Sequence, residues 1–295
     1  MKNKYKNMIL SLTLILYPII YFVFPTDHSN DIIVAVLDTG VDDSHPLLEN
    51  RLIEGYDFID FDSDPEDVVG HGTHVAGIIT TNSPNAKIMP VRVITEKDEV
   101  QNTYLAIIYA VMNGADIINM SYAESYNTLT YAAIKYGQSK GVVFVASSGN
   151  QGIDNVYYPA KYSGVLSISG YDERNHQLFG NYGELVNFIA PGMNIRSAGL
   201  NGDYTNKSGT SMSAAYVSGV LSFLKTNEPD LNSLEIKERL YEISEVVTIK
   251  DSNKEHTSDY SLVDFKNLTN LYVHEFASHA MYQNLIVESE GKPKE

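Results

Sequence analysis

Four short segments hold residue types that could do covalent chemistry. Asp38-Thr39-Gly40 follows the apolar run Ile32–Leu37. An aspartate there suits half of a dyad in which two carboxylates share a proton. It equally suits the acid that orients a histidine beside a nucleophilic serine, or a plain strand-ending turn. Only one such tripeptide exists, and the dyad needs two. His71 lies in Gly70-His71-Gly72-Thr73-His74, where glycines let backbone approach closely. His71 and His74 could share a metal face, but no third ligand is spaced nearby. Asn150 ends Ser147-Ser148-Gly149-Asn150 and is either a turn residue or an amide donor for a developing oxyanion. Ser211 in Gly209-Thr210-Ser211-Met212-Ser213 opens a helical pattern, where serine serves as a cap or as a nucleophile. Its context is not the Gly-x-Ser-x-Gly elbow. Further on, His274-Glu275-Phe276-Ala277-Ser278-His279 imitates a zinc-protease motif. Its histidines are five apart, about 140° around a helix, so they cannot share a metal.

The elements that must position these groups alternate. Ile32–Leu37, Ile88–Ile94, Ile117–Met120, Val142–Val145 and Val165–Ser169 are short continuous apolar runs. Such runs suit parallel strands covered on both faces. Between and after them lie helical patterns at Thr73–Thr80, Tyr104–Asn113, Leu129–Ser139, Ser213–Lys225 and Leu234–Ile243. Alternation of this kind predicts an α/β fold in layers with a mainly parallel central sheet. Asp38, the Ser121-Tyr122-Ala123 stretch and Asn150 then fall beyond the carboxyl ends of strands, where open α/β sheets gather their reactive groups.

Composition narrows the classes. The 295 residues are 43% apolar and 20% charged, ordinary for a globular chain. Lys plus Arg number 21 against 37 Asp plus Glu, a net charge of −16, which argues against a nucleic-acid groove. With no cysteine, disulfides, thiolate metal sites and a cysteine nucleophile are excluded. Lys2, Lys4 and Lys6 precede an apolar run from residue 8 to 24. Seventeen helical residues span about 25 Å, just short of a ~30 Å hydrocarbon core. Residues 1–27 therefore read as a signal peptide or, slightly favoured, an uncleaved signal-anchor with its lysines inside. One folded domain is expected over 28–272 and a short tail over 273–295, the protein acting outside the cytoplasm as a membrane-anchored or secreted monomer.

Taken in order, Asp38-Thr39-Gly40, His71-Gly72-Thr73-His74-Val75-Ala76-Gly77, Ser147-Ser148-Gly149-Asn150 and Gly209-Thr210-Ser211-Met212-Ser213 resemble the subtilisin-like serine proteases. The order Asp, His, Ser is the subtilisin order. The resemblance runs from about Ile32 to Asp264 and includes Val91-Arg92-Val93, Tyr158-Pro159-Ala160 and Ala190-Pro191-Gly192. It implies a three-layer subtilisin-like fold after the N-terminal apolar segment, and endopeptidase chemistry without a cofactor. By resemblance Ser211 attacks, His71 is the base, Asp38 orients it, and Asn150 with the Ser211 N–H binds the oxyanion. Asn119, Ser121, Tyr122 and Ala123 would form the strand that pairs with an extended polypeptide substrate. Ser148, Gly149 and Tyr157 would border the specificity pocket. A broad-specificity extracellular protease and a catalytically silent peptide binder are the competing expectations.

The chain departs from the family pattern in four places. The calcium-binding insertion that many secreted relatives carry after the histidine helix is missing around Asn82–Ala86, and Leu47 stands where they place an acidic ligand. No metal site is expected there. Ala123 followed by Glu124, with Tyr157 where small residues are common, implies an altered pocket in which large aromatic side chains fit poorly. Ala215 replaces a usual proline, a change a helix tolerates. Thirteen residues separate Phe24 from Asp38, too few for a folded inhibitory prodomain. That favours a dedicated processing role, such as leader removal from a secreted peptide.

Overall fold

The computed structural model describes residues 31–250 and 257–265. The apolar run before residue 28, the tail after 272 and the His274–His279 segment lie outside the described residues. The chain opens with β1 (Ile32–Asp38), then β2 (Tyr56–Asp57), α1 (His71–Asn82), β3 (Ala86–Arg92), α2 (Thr103–Met112) and β4 (Ile117–Met120). It continues with α3 (Thr128–Ser139), β5 (Val143–Ser147), β6 (Val165–Asp172), β7 (Gln177–Leu178), β8 (Phe188–Pro191), β9 (Ile195–Ala198) and β10 (Tyr204–Lys207). Helices α4 (Thr210–Asn227) and α5 (Ser233–Ile243) precede a hairpin of β11 (Glu245–Lys250) and β12 (Thr257–Leu262).

The main sheet runs β11-β12-β8-β6-β5-β4-β1-β3-β2, with β7 hanging on β6. Pairs β1–β3, β1–β4, β4–β5, β5–β6 and β6–β8 are parallel, and β11–β12 is antiparallel. The two faces of β1 show why its sequence is continuously apolar. Val34 and Val36 join one core with Val75 and Ile79 of α1, Val217 and Leu221 of α4, and Leu240 of α5. Ile33, Ala35 and Leu37 join the other with Ile107 of α2 and Ile134 of α3. Three helices on one face and two on the other make three layers, the count that the family resemblance implied. Asn127 caps α3 by accepting from the Leu129 and Thr130 N–H groups, and an Asn232–Glu235 capping box starts α5.

From β1 the chain first moves to β3 on one side, then crosses to β4 on the other. The carboxyl ends of β1 and β4 therefore flank a topological switch point, the place where open α/β sheets form a crevice.

Candidate active site

Asp38 is the last residue of β1 and is fully buried. Its Oδ1 accepts from the Thr39 N–H at 2.8 Å and holds His71 Nδ1 at 2.7 Å. Its Oδ2 is buried without a hydrogen-bond partner. His71 is the first residue of α1. Burial alone pulls the imidazole down, but the charge and hydrogen bond of Asp38 outweigh it, and the His71 pKa stands above the ordinary 6.5. With Nδ1 committed to Asp38, Nε2 is the nitrogen left to work as a base.

The approach of α1 to β1 depends on Gly72. A Cβ there would collide with the Gly40 carbonyl oxygen, and Gly40 itself has φ +103°. The glycine after the histidine is thus a steric requirement. Asp67, which the motif reading did not single out, ties the same corner together. Its Oδ1 accepts from Thr39 Oγ1 (2.8 Å), the Val69 N–H and the Gly70 N–H. Its Oδ2 accepts from the N–H and hydroxyl of Thr73 at 2.9 and 2.6 Å. Gly70, the residue before α1, offers no side-chain cap, so a carboxylate three residues earlier serves in its place.

Ser211 is the second residue of α4 and is buried. Its hydroxyl donates to the Ser121 carbonyl at 3.0 Å, while Ser121 Oγ donates to the Ser211 carbonyl at 3.1 Å. The hydroxyl thus rests on the edge beyond β4 rather than on His71. Its N–H lies in the first helical turn, where no i−4 acceptor exists, at the positive end of the helix dipole.

Asn150 is exposed, three residues past β5. Its Oδ1 accepts from the Thr210 N–H at 2.9 Å and from Thr210 Oγ1 at 3.0 Å. That fixes the amide orientation and leaves Nδ2 as a free donor beside the start of α4. Thr210 also takes the Gly149 N–H on its hydroxyl at 3.3 Å. It is a second positioning residue that the motif reading passed over, because it looked like filler between Gly209 and Ser211.

The remaining expected positions divide. Ala123 is exposed, and Ser121 and Tyr122 are buried next to it on the same edge. Asn119 is fully buried, donating to Ser121 Oγ at 2.9 Å and accepting from Ser218 Oγ at 3.0 Å, so it supports the edge from below. Ser148 is fully buried and donates to the Asn181 carbonyl. Gly149 has φ +111°, and a Cβ on it would stand 2.7 Å from Tyr157 Cδ2, so the half-buried tyrosine lies over this glycine. Around the missing insertion, α1 ends at Asn82 and β3 begins at Ala86, with Ser83 bonded to Ser222 at 3.0 Å. Ala215 is buried within α4. Among the described residues no group of three or more His, Cys, Asp or Glu side chains is placed to hold a metal.

Residues 29–261 match the Subtilase family. A thermophilic serine proteinase of Bacillus sp. (strain AK1) is 36% identical over 229 residues, 73% of this chain and 57% of that protein. The chain thus spans little more than half the length of that relative. Thermitase of Thermoactinomyces vulgaris is 38% identical over 205 residues, 65% of this chain and 74% of its own. The crystal structure of a cold adapted subtilisin-like serine proteinase superimposes with a TM-score of 0.71 at 30% identity, covering 79% of this chain and 89% of the other. The family match runs from just before β1 into β12 and takes in every residue of the site, and the chain belongs to the subtilase family.

Proposed function

We propose that this protein is a serine endopeptidase working through an acyl-enzyme. The observation that carries the reading is the 2.7 Å contact between buried Asp38 and His71, set in the same crevice as a serine at a helix N-terminus. Rotation of the Ser211 side chain exchanges the Ser121 carbonyl for His71 Nε2. Ser211 Oγ then attacks the scissile carbonyl carbon as Nε2 takes its proton. The oxyanion accepts from Asn150 Nδ2 and the Ser211 N–H. His71 returns the proton to the leaving amine, the C–N bond breaks, and water enters by the same route to release the acid and restore Ser211. A polypeptide is the substrate, and no cofactor takes part.

The narrower reading is a dedicated processing enzyme, for instance one that removes a leader from a secreted peptide. The position of Tyr157 over Gly149 supports a restricted pocket, and large aromatic side chains next to the cut are expected to be poor substrates. The lysines and apolar run within residues 2–24 support an extracytoplasmic location, with residues 8–24 as the anchor. The silent-binder reading is favoured only by the Ser211–Ser121 hydrogen bond, which one side-chain torsion breaks.

Fluorophosphonate labelling of the full chain beside Ser211→Ala tests the reading. Labelling and peptide cleavage by the wild type alone, with equal melting temperatures, is the expected result. Undiminished cleavage by Ser211→Ala overturns it. So does a folded wild type that neither labels nor cleaves.

A further inference from the structure

Beyond Ser121 the substrate edge leads into a cavity of about 360 Å³ whose lining includes Asp98, Glu124 and Tyr126. The Glu124 backbone is pinned there by its N–H, which donates to the Tyr158 carbonyl at 2.8 Å. Its Oε2 accepts from Thr103 Oγ1 at 2.9 Å. Its Oε1 is buried with no hydrogen-bond partner. Neither Glu124 nor Asp98 is in an ion pair among the described residues. Burial pushes the Glu124 carboxyl up to about 7, and the Thr103 hydroxyl offsets this only in part. A buried carboxylate of this kind lacks the cation that would hold it ionised.

An aromatic surface stands beside the acid. Tyr126 is 55% exposed, and its ring packs on Tyr158 at 5.3 Å and Tyr162 at 5.7 Å, which fixes its orientation. Cations lie over other tyrosines nearby, Lys135 over Tyr131 and Lys140 over Tyr136. None of the protein's own described cations lies over Tyr126. Two carboxylates and an aromatic face around one hollow make the combination that receives an ammonium or guanidinium group from outside.

We propose that this cavity is a specificity site for a lysine or arginine side chain of the substrate, with Glu124 as its determinant. The proposal rests on the endopeptidase reading and deepens it. Glu124 stands three residues beyond Ser121. At ~3.3 Å per extended residue that is about 10 Å from the carbonyl on which Ser211 rests. The basic residue therefore sits three or four positions from the cut rather than next to it. Glu124→Gln keeps the shape and the Thr103 hydrogen bond while removing the charge.

The test uses the full chain, an internally quenched peptide library and fluorophosphonate labelling in parallel. The expected profile favours Lys and Arg three or four residues from the cut by about tenfold in kcat/KM over isosteric neutral residues. Glu124→Gln is expected to erase that preference, so that a variant that still labels cuts basic and isosteric neutral peptides at equal rates. Tyr126→Leu is expected to weaken the preference about threefold. Ser211-dependent cleavage without a basic preference overturns the proposal and leaves the protease reading standing, as does a preference that survives Glu124→Gln. If the wild type fails to label, the protease reading falls. The site is then judged by equilibrium binding of a Lys-containing peptide and its norleucine analogue, and equal affinities overturn it.

Discussion

At the scale of single residues, two histidines in one helix are tuned in opposite directions. His71 acts as a base only when neutral, and Asp38 lifts its pKa above 6.5. The expected kcat/KM therefore rises with pH through a midpoint above 6.5. Asp38→Asn removes the attraction and leaves the burial, so the midpoint moves below 6.5 and turnover falls by about 10⁴. A midpoint that stays put in that variant would assign the titration to another group. His74 is fully buried, its Nε2 is held by the Ile195 and Thr205 carbonyls, and burial takes its pKa to about 4. Between pH 6.5 and about 4 the unfolded chain binds the proton and the native chain does not. Native stability therefore drops as pH falls through that window, by up to about 3 kcal/mol. His71, with its raised pKa, works in the reverse sense, gaining stability as pH falls through its native value. Thermal melts from pH 7 to 4.5 should show the loss, and His74→Gln should flatten it. Asn150→Ala should cost about 10²–10³ in kcat while sparing KM, since it removes one donor to the oxyanion. Asp38, His71, Asn150 and Ser211 stood out in sequence because each sits in a short motif with a glycine within two residues of it. Asp67 and Thr210 were silent. The first is one acid in the acid-rich stretch from Asp60 to Asp67, and the second shows its use only when Asn150 folds against it.

At the scale of elements, the corner between β1 and α1 is a single hydrogen-bonded unit around Asp67. Asp67→Ala strips a buried carboxylate from five donors at once. The expected cost is on the order of 3 kcal/mol, with a loss of activity larger than that at Asn150 because both Asp38 and His71 are displaced. Chemical denaturation together with kcat/KM checks both parts. Sequence patterning located the five helices and the parallel strands β1, β3, β4, β5 and β6, since their apolar residues report burial directly. It placed the start of α1 at Thr73 rather than His71, because the N-terminal residue Gly70 carries no cap and the capping carboxylate is remote. It passed over β2 and β7 through β12. β2 and β7 have two residues each, and β10, Tyr204–Lys207, is polar and largely exposed, so none of the three offers an apolar run to find.

At the scale of the whole molecule, a net charge of −16 sets the chain against itself. Raising ionic strength from about 10 mM to about 150 mM shortens the Debye length from about 30 Å to about 8 Å. The melting temperature is expected to rise with salt over that range, and a flat response would mean that local ion pairs such as Arg92 with Asp57 and Asp60 already neutralise the repulsion. The architecture also has a consequence in time. Helix α4 carries Ser211, the proposed nucleophile, and fourteen of its residues are buried. It is also the helix on which β4, β5, β6 and β8 pack. Asp38, His71 and the edge at Ser121 all leave the ribosome before it. During translation, on the endopeptidase reading, the unfinished sheet holds an acid, a base and a peptide-receiving edge, but nothing to attack with. The missing serine arrives on the helix that packs across the middle of the sheet. On the endopeptidase reading, translation order acts as a safety catch: the attacking group arrives only with the helix that covers the sheet, and a chain stopped before residue 211 has neither.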